Sequence, residues 1–136
     1  MADYFTNFSL VLRLKQDQQE YALQIAKQAR ACHYQDETLP ESFPRDLIEY
    51  IESWDFETKP ERDGIWLHSE YGGQDAACAF IKHLLQKYDF APAVGFEWSH
   101  DCSHPQTDAY GGGAAYITAT EIETMTTSDW LRSKSC

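Results

Sequence analysis

Residues 64–88 read Gly-Ile-Trp-Leu-His-Ser-Glu-Tyr-Gly-Gly-Gln-Asp-Ala-Ala-Cys-Ala-Phe-Ile-Lys-His-Leu-Leu-Gln-Lys-Tyr, and the change of period within them decides the fold class. Ile65 to Glu70 reads as a strand. Gly72-Gly73 then breaks the chain, and Asp75 stands where a helix starts. Beyond it Ala77, Phe80, Ile81, Leu84, Leu85 and Tyr88 recur at helical spacing, one apolar stripe on one face. A strand followed directly by an amphipathic helix fixes a mixed architecture.

Working outward, Phe56 to Lys59 pairs with Ile65 to Glu70 as a hairpin turning through Pro60-Glu61-Arg62-Asp63-Gly64. Upstream, residues 5–14 alternate, with Phe8, Leu10, Leu12 and Leu14 on one side and Ser9, Val11 and Arg13 on the other. Asp17 and Glu20 have capping-box spacing, and Ala22, Ile25, Ala26 and Ala29 carry a helix to about Cys32. Ser42, with Pro44 in the first turn, starts a second helix that buries Phe43, Leu47, Ile51 and Trp54. Downstream, Ala93–Ser99 and Ala114–Ala119 read as strands joined by a loop from His100 to Gly113. Thr120 with Glu123 predicts a last helix through Trp130.

The expected order is β-α-α-β-β-α-β-β-α in one α+β domain of 136 residues, a size that suits one core. Without the extra helix and the last two elements it is the βαββαβ of a ferredoxin-like fold. A mostly antiparallel sheet then carries the helices on one face. Arg13, Trp66, His68, Glu70, Glu97 and Tyr116 fall on the other, unless the terminal helix, with Met125 and Trp130, covers it.

The charge is uneven. The formal net charge is −11; residues 36–63 hold ten acids against three bases, and residues 88–131 hold seven acids and no Lys or Arg. Such a field repels phosphate backbones and anionic lipid, so direct nucleic-acid binding is disfavoured and basic protein surfaces are attracted. Within the first block Asp46, Glu49 and Glu52 line an exposed side of the second helix at three-residue spacing. No stretch is apolar enough to span a membrane, and no signal peptide is recognisable, so a cytoplasmic setting is expected. The four cysteines, Cys32, Cys78, Cys102 and Cys136, contain no CxxC pair and are expected as free thiols. No cofactor motif is present.

Chemistry concentrates in His100-Asp101-Cys102-Ser103-His104. His100, Cys102 and His104 are good zinc ligands, which Asp101 or Asp108 could complete. Extended i, i+2 neighbours lie about 6–7 Å apart, so the loop must curl to hold one ion. Cys102 is alternatively a nucleophile activated by either histidine. Neither glycine run is a phosphate cradle: Gly111-Gly112-Gly113 enters a strand, and Tyr71-Gly72-Gly73-Gln74-Asp75 lacks the P-loop lysine.

Gly64-Ile65-Trp66-Leu67-His68-Ser69, Phe96-Glu97-Trp98 leading to Cys102-Ser103-His104-Pro105, and Tyr110-Gly111-Gly112-Gly113-Ala114 together resemble a group of small acidic proteins of bacteria and their mobile elements. The resemblance spans roughly residues 64–120 and implies a setting of phage or plasmid conflict, with no catalytic residue to carry over. The leading expectation is a non-enzymatic interaction module for a basic protein surface, in one version a nucleic-acid mimic that blocks a defence nuclease or DNA-binding protein. Its candidate residues are Asp46, Glu49, Glu52, Trp66, His68, Glu70, Glu97 and Tyr116. The competing expectations are a small enzyme or zinc protein built on His100, Cys102 and His104, and a small-molecule-binding domain.

Overall fold

The computed structural model describes residues 3–104 and 109–134; Pro105, Asp108 and Cys136 fall outside them. The chain is an α+β domain. In order its elements are β1 (Tyr4–Arg13), α1 (Gln16–Gln35), the 3₁₀-helix η1 (Arg45–Ser53), β2 (Glu57–Glu61), β3 (Gly64–Ser69), α2 (Gln74–Tyr88), β4 (Val94–Cys102), β5 (Gly111–Ile117), β6 (Ile122–Thr126) and α3 (Thr127–Ser133). The six strands form one sheet in the order β2-β3-β1-β4-β5-β6, each antiparallel to its neighbours. Among the described residues no helix is long and apolar enough to cross a membrane.

Period-two alternation sorts the sheet into two faces. Phe8, Leu12, Ile65, Leu67, Phe96, Trp98, Ala115 and Ile117 share the buried face. The apolar stripes of α1 and α2 cover it, with Ile25, Ala26, Ala29, Phe80, Ile81, Leu84 and Leu85 all buried. Fully burying one such leucine or isoleucine stabilises by about 1.5–3 kcal/mol. Against α1 and α2 packs η1, which adds Leu47 and Ile51, while Trp54 just beyond it stacks on Phe56 with ring centroids 5.1 Å apart.

Four expectations about the elements are corrected. The start of α1 lies at Gln16, and the Gln18 side chain accepts the Lys15 N–H at 3.0 Å, so Lys15 and Gln18 do what Asp17 and Glu20 were expected to do. The second helix is 3₁₀ rather than α, with Pro44 and not Ser42 at its cap. Pro60 and Glu61 belong to β2, leaving Arg62-Asp63 as a two-residue turn. Proline is tolerated there because β2 is an edge strand.

The fourth correction matters most. Thr120 and Glu123 do not open a helix: residues 122–126 are β6, and α3 begins only at Thr127. The Thr118 hydroxyl accepts the N–H groups of Thr120 (3.3 Å) and Glu121 (3.1 Å), closing a turn that sends the chain back along β5. The actual cap is Thr126, whose hydroxyl accepts the Asp129 N–H at 3.1 Å. Pairing with β5 satisfies a run of backbone groups that one local cap cannot.

Candidate interaction surface

The unburied face of the sheet is built by the complementary set of alternate residues. From β2 it takes Glu57 and Lys59; from β3, Trp66 and His68; from β1, Asn7, Ser9, Val11 and Arg13. Further along, β4 supplies Gly95, Glu97, Ser99 and Asp101, β5 supplies Gly112, Ala114 and Tyr116, and β6 supplies Glu123 and Met125. Of the six residues expected on this face, Arg13, Trp66, His68, Glu97 and Tyr116 are there. Glu70 stands one residue past β3, where its carbonyl accepts the Thr6 N–H at 2.9 Å and its side chain is exposed.

The face is open. None of the residues of α3 is buried, and Met125, Trp130 and Leu131 are 52%, 56% and 61% exposed. Its first turn is tied to the end of β5 instead, where the Thr127 hydroxyl accepts the Gly112 N–H at 3.1 Å. Tyr116 is exposed on the strand next to Met125, and Val11 is exposed on β1, across β4 and β5 from it. These large apolar groups rise from a floor of Gly95, Gly112 and Ala114, and rimmed apolar exposure of this kind marks interaction sites.

Across the β1–β3 half the aromatics are organised. Trp66 and His68 stack with ring centroids 3.9 Å apart, and the Trp66 indole N–H donates to Ser9 Oγ at 2.7 Å. Above Trp66 the Lys59 ammonium lies 5.8 Å from the ring centre. Nδ1 of His68 sits 3.9 Å from Glu57, while its Nε2 is enclosed with no hydrogen-bond partner among the described residues. Trp66 is half-buried in this cluster, so Val11, Tyr116 and Met125 are the freer anchors. Both Val11 and Met125 were missed as site residues; the alternation of residues 5–14 already held the signal for Val11, whereas Met125 depends on β6.

Carboxylates ring the face from three strands: Glu57, Glu97, Asp101 and Glu123 are exposed, against Arg13 and Lys59. Among the described residues Glu57 and Asp101 alone of these carboxylates have internal partners, Asp101 accepting the Cys102 N–H at 2.8 Å. Comparison with protein-family models, curated proteins and solved structures finds no match. The surface is therefore read from its own chemistry.

The acidic stripe lies elsewhere. Three residues per turn set Asp46, Glu49 and Glu52 in one row along η1, but η1 packs on α1 and α2, on the opposite side of the sheet from Glu97 and Tyr116. One member, though exposed, is also held by a partner. His83 Nδ1 lies 3.0 Å from Asp46, and His83 Nε2 lies 2.7 Å from the Tyr21 hydroxyl, tying η1 to α2 and α1. Burial, then Tyr88 and Asp46, push the Tyr21 pKa up, so this hydroxyl keeps its proton. The candidate residues thus fall into two sets, Asp46, Glu49 and Glu52 on the helical layer and Trp66, His68, Glu97 and Tyr116 on the open sheet face.

The 100–104 segment is correspondingly changed. His100, Asp101 and Cys102 are strand, not loop. His100 and Cys102 share the side of the sheet opposite Asp101. Nδ1 of His100 lies 2.9 Å from the Thr6 hydroxyl, Cys102 is buried, and His104 is exposed beyond the strand end. Among the described residues no group of three or more His, Cys, Asp or Glu side chains is placed to hold a metal. Among the described residues no hydrogen bond joins the Cys102 thiol to either imidazole.

Proposed function

We propose that this protein is a non-enzymatic interaction module whose open sheet face engages a basic protein surface. The observation that carries the reading is the uncovered face itself: Tyr116 and Met125 exposed on neighbouring strands and Val11 exposed on β1, bordered by Glu57, Glu97, Asp101 and Glu123. Aromatic and methionine side chains supply buried contact area at interfaces, while rim charges select the partner and speed encounter. A nucleic-acid-mimicking version needs one continuous run of carboxylates, and the separation of η1 from the sheet face confines it to one of the two surfaces.

We extend the proposal to the scaffold: β1 to β4 with α1 and α2 form a ferredoxin-like unit, lengthened by β5 and β6. Its support is the placement of β1 between β3 and β4, with β2 outside β3.

Two variants test the functional reading. Glu57→Gln, Glu97→Gln, Asp101→Asn and Glu123→Gln together remove the sheet-face charge; Asp46→Asn, Glu49→Gln and Glu52→Gln together remove the η1 stripe. In pull-downs from nuclease-treated lysate, a basic partner is expected with the wild type at low salt and lost as salt rises. The η1 variant should retain it, and the sheet-face variant should lose it, with association slowed about tenfold or more. Loss with the η1 variant alone would move the interface to the helical side.

A further inference from the structure

Two depressions of about 610 and 480 Å³ lie on the open face. The first is lined by Gly95, Ala114, Tyr116, Glu123 and Met125; the second by Asn7, Ser99, Gly112 and Gly113. Both share Glu97, Ala114 and Met125, so they form one groove across β4, β5 and β6. Its floor is flat because Gly95 and Gly112 carry no side chain and Ala114 only a methyl group; at Gly112 an added Cβ would meet the Trp98 carbonyl oxygen. Tyr116 lies between Gly95 and Glu123 in the register, and Ala114 between Glu97 and Met125.

The charges at its rims are unanswered. Neither Glu97 nor Glu123 has a hydrogen bond or an ion pair among the described residues, and no Lys or Arg lines the groove. Glu97 and Glu123 sit on strands separated by β5, their backbones about 10 Å apart across the sheet and two residues out of register, and among the described residues no group of three or more ligating side chains is placed to hold a metal. A second copy of this chain is disfavoured, since its own Glu97 and Glu123 would meet these face to face. Anionic ligands are repelled for the same reason.

We infer that this groove takes the arginine side chains of an extended basic segment, and that this is how the proposed sheet-face module recognises its partner; the inference rests on that reading. The guanidinium is planar and weakly hydrated, so it can lie over the Tyr116 ring while its N–H groups reach a carboxylate. Met125 and the flat floor accommodate its aliphatic stem, as apolar surface does for long cationic side chains. Two carboxylates on opposite rims set two arginines at alternate positions of an extended peptide, whose side chains on one face are about 6–7 Å apart along the chain and swing outward to the rims.

The probe is an end-capped heptapeptide, Gly-Gly-Arg-Gly-Arg-Gly-Gly, titrated into the ¹⁵N-labelled full chain at low salt. Shifts confined to the amides of Gly95, Gly112, Ala114, Tyr116 and Met125 are expected, with none from the glutamine-for-arginine peptide. Glu97→Gln with Glu123→Gln should weaken binding roughly tenfold, and Tyr116→Leu roughly threefold. Shifts around Val11, Trp66 and His68 instead would overturn the groove while leaving the sheet face as the interface. Shifts only near Asp46, Glu49 and Glu52 would overturn both. Binding unchanged by the double glutamine variant, or no binding of the peptide at all, would also remove the groove, and the pull-down variants then decide the sheet-face reading separately.

Discussion

Trp54→Ala is expected to cost about 3–5 kcal/mol of stability, a large share of the total for a domain of this size. Trp54 is 0% exposed and occupies the corner where η1 hands the chain to β2. Its ring lies 5.1 Å from Phe56 and 5.4 Å from Phe80, so it joins η1, the sheet and α2. Removing it leaves a cavity that three separate elements would have to move to fill. The replacement by phenylalanine should behave quite differently. The buried indole N–H of Trp54 has no acceptor among the described residues, and an unsatisfied buried donor costs about 1–3 kcal/mol. Trp54→Phe removes that donor while keeping an aromatic plane, so it should fall within about 1 kcal/mol of the wild type, the lost volume offset by the lost penalty. Urea unfolding of both variants decides the matter. An alanine variant near wild-type stability would mean that η1 is not part of the cooperative core.

The second large effect is alkaline. Cys78, in α2, is 3% exposed, and burial, then Asp75, push its thiol from an ordinary pKa of 9.0 to about 12. The fold therefore holds the neutral thiol, whereas the unfolded chain ionises it from about pH 9 upward. Because the folded pKa is the higher one, the associated stability is fully present below pH 9 and drains away as pH rises toward 12. The slope is about 1.4 kcal/mol per pH unit, so about 2–3 kcal/mol is lost between pH 9 and 11. The hydroxyls of Tyr21, Tyr34, Tyr50 and Tyr88 are also raised by burial and steepen the overall fall in the same direction. Cys78→Ala isolates the thiol's share. Its stability deficit at pH 8, measured by urea unfolding, should shrink by about 2–3 kcal/mol at pH 11. A deficit that stays constant would assign the alkaline loss to the tyrosines.

Neither residue belongs to the proposed interface, which gives these two variants a further use. Trp54→Phe and Cys78→Ala, which alter the core and leave the sheet face untouched, should keep partner binding at pH 8, so that its loss in variants of Glu97, Tyr116 or Glu123 is assigned to the surface rather than to unfolding. Charge changes on the exposed sheet face should themselves alter stability by no more than about 0.5 kcal/mol.

Alternation and helical spacing in the sequence alone place Leu12, Ile65, Leu67 and Phe96 inward and Arg13, Trp66, His68, Glu97 and Tyr116 together on the opposite side. Those patterns are local consequences of how backbone geometry directs side chains, with period two in a strand and about 3.6 in a helix. The stripe of α2 is legible for the same reason, and so is the α+β class. What local spacing leaves open is which of two competing partners a segment finds. Thr120 and Glu123 carry a helix-start pattern, yet residues 122–126 pair with β5 because the ladder satisfies more backbone groups than a cap. That choice sets Met125 and Glu123 on the open face and creates the groove that Glu97 and Tyr116 could not form by themselves. The three-residue acidic spacing of η1 is equally legible, but its position on the helical layer, with Asp46 held by His83, depends on contacts more than thirty residues apart in the chain. Long-range pairing has no signature in a neighbouring residue, so the sequence determined the faces, and the tertiary structure decided which surfaces they compose.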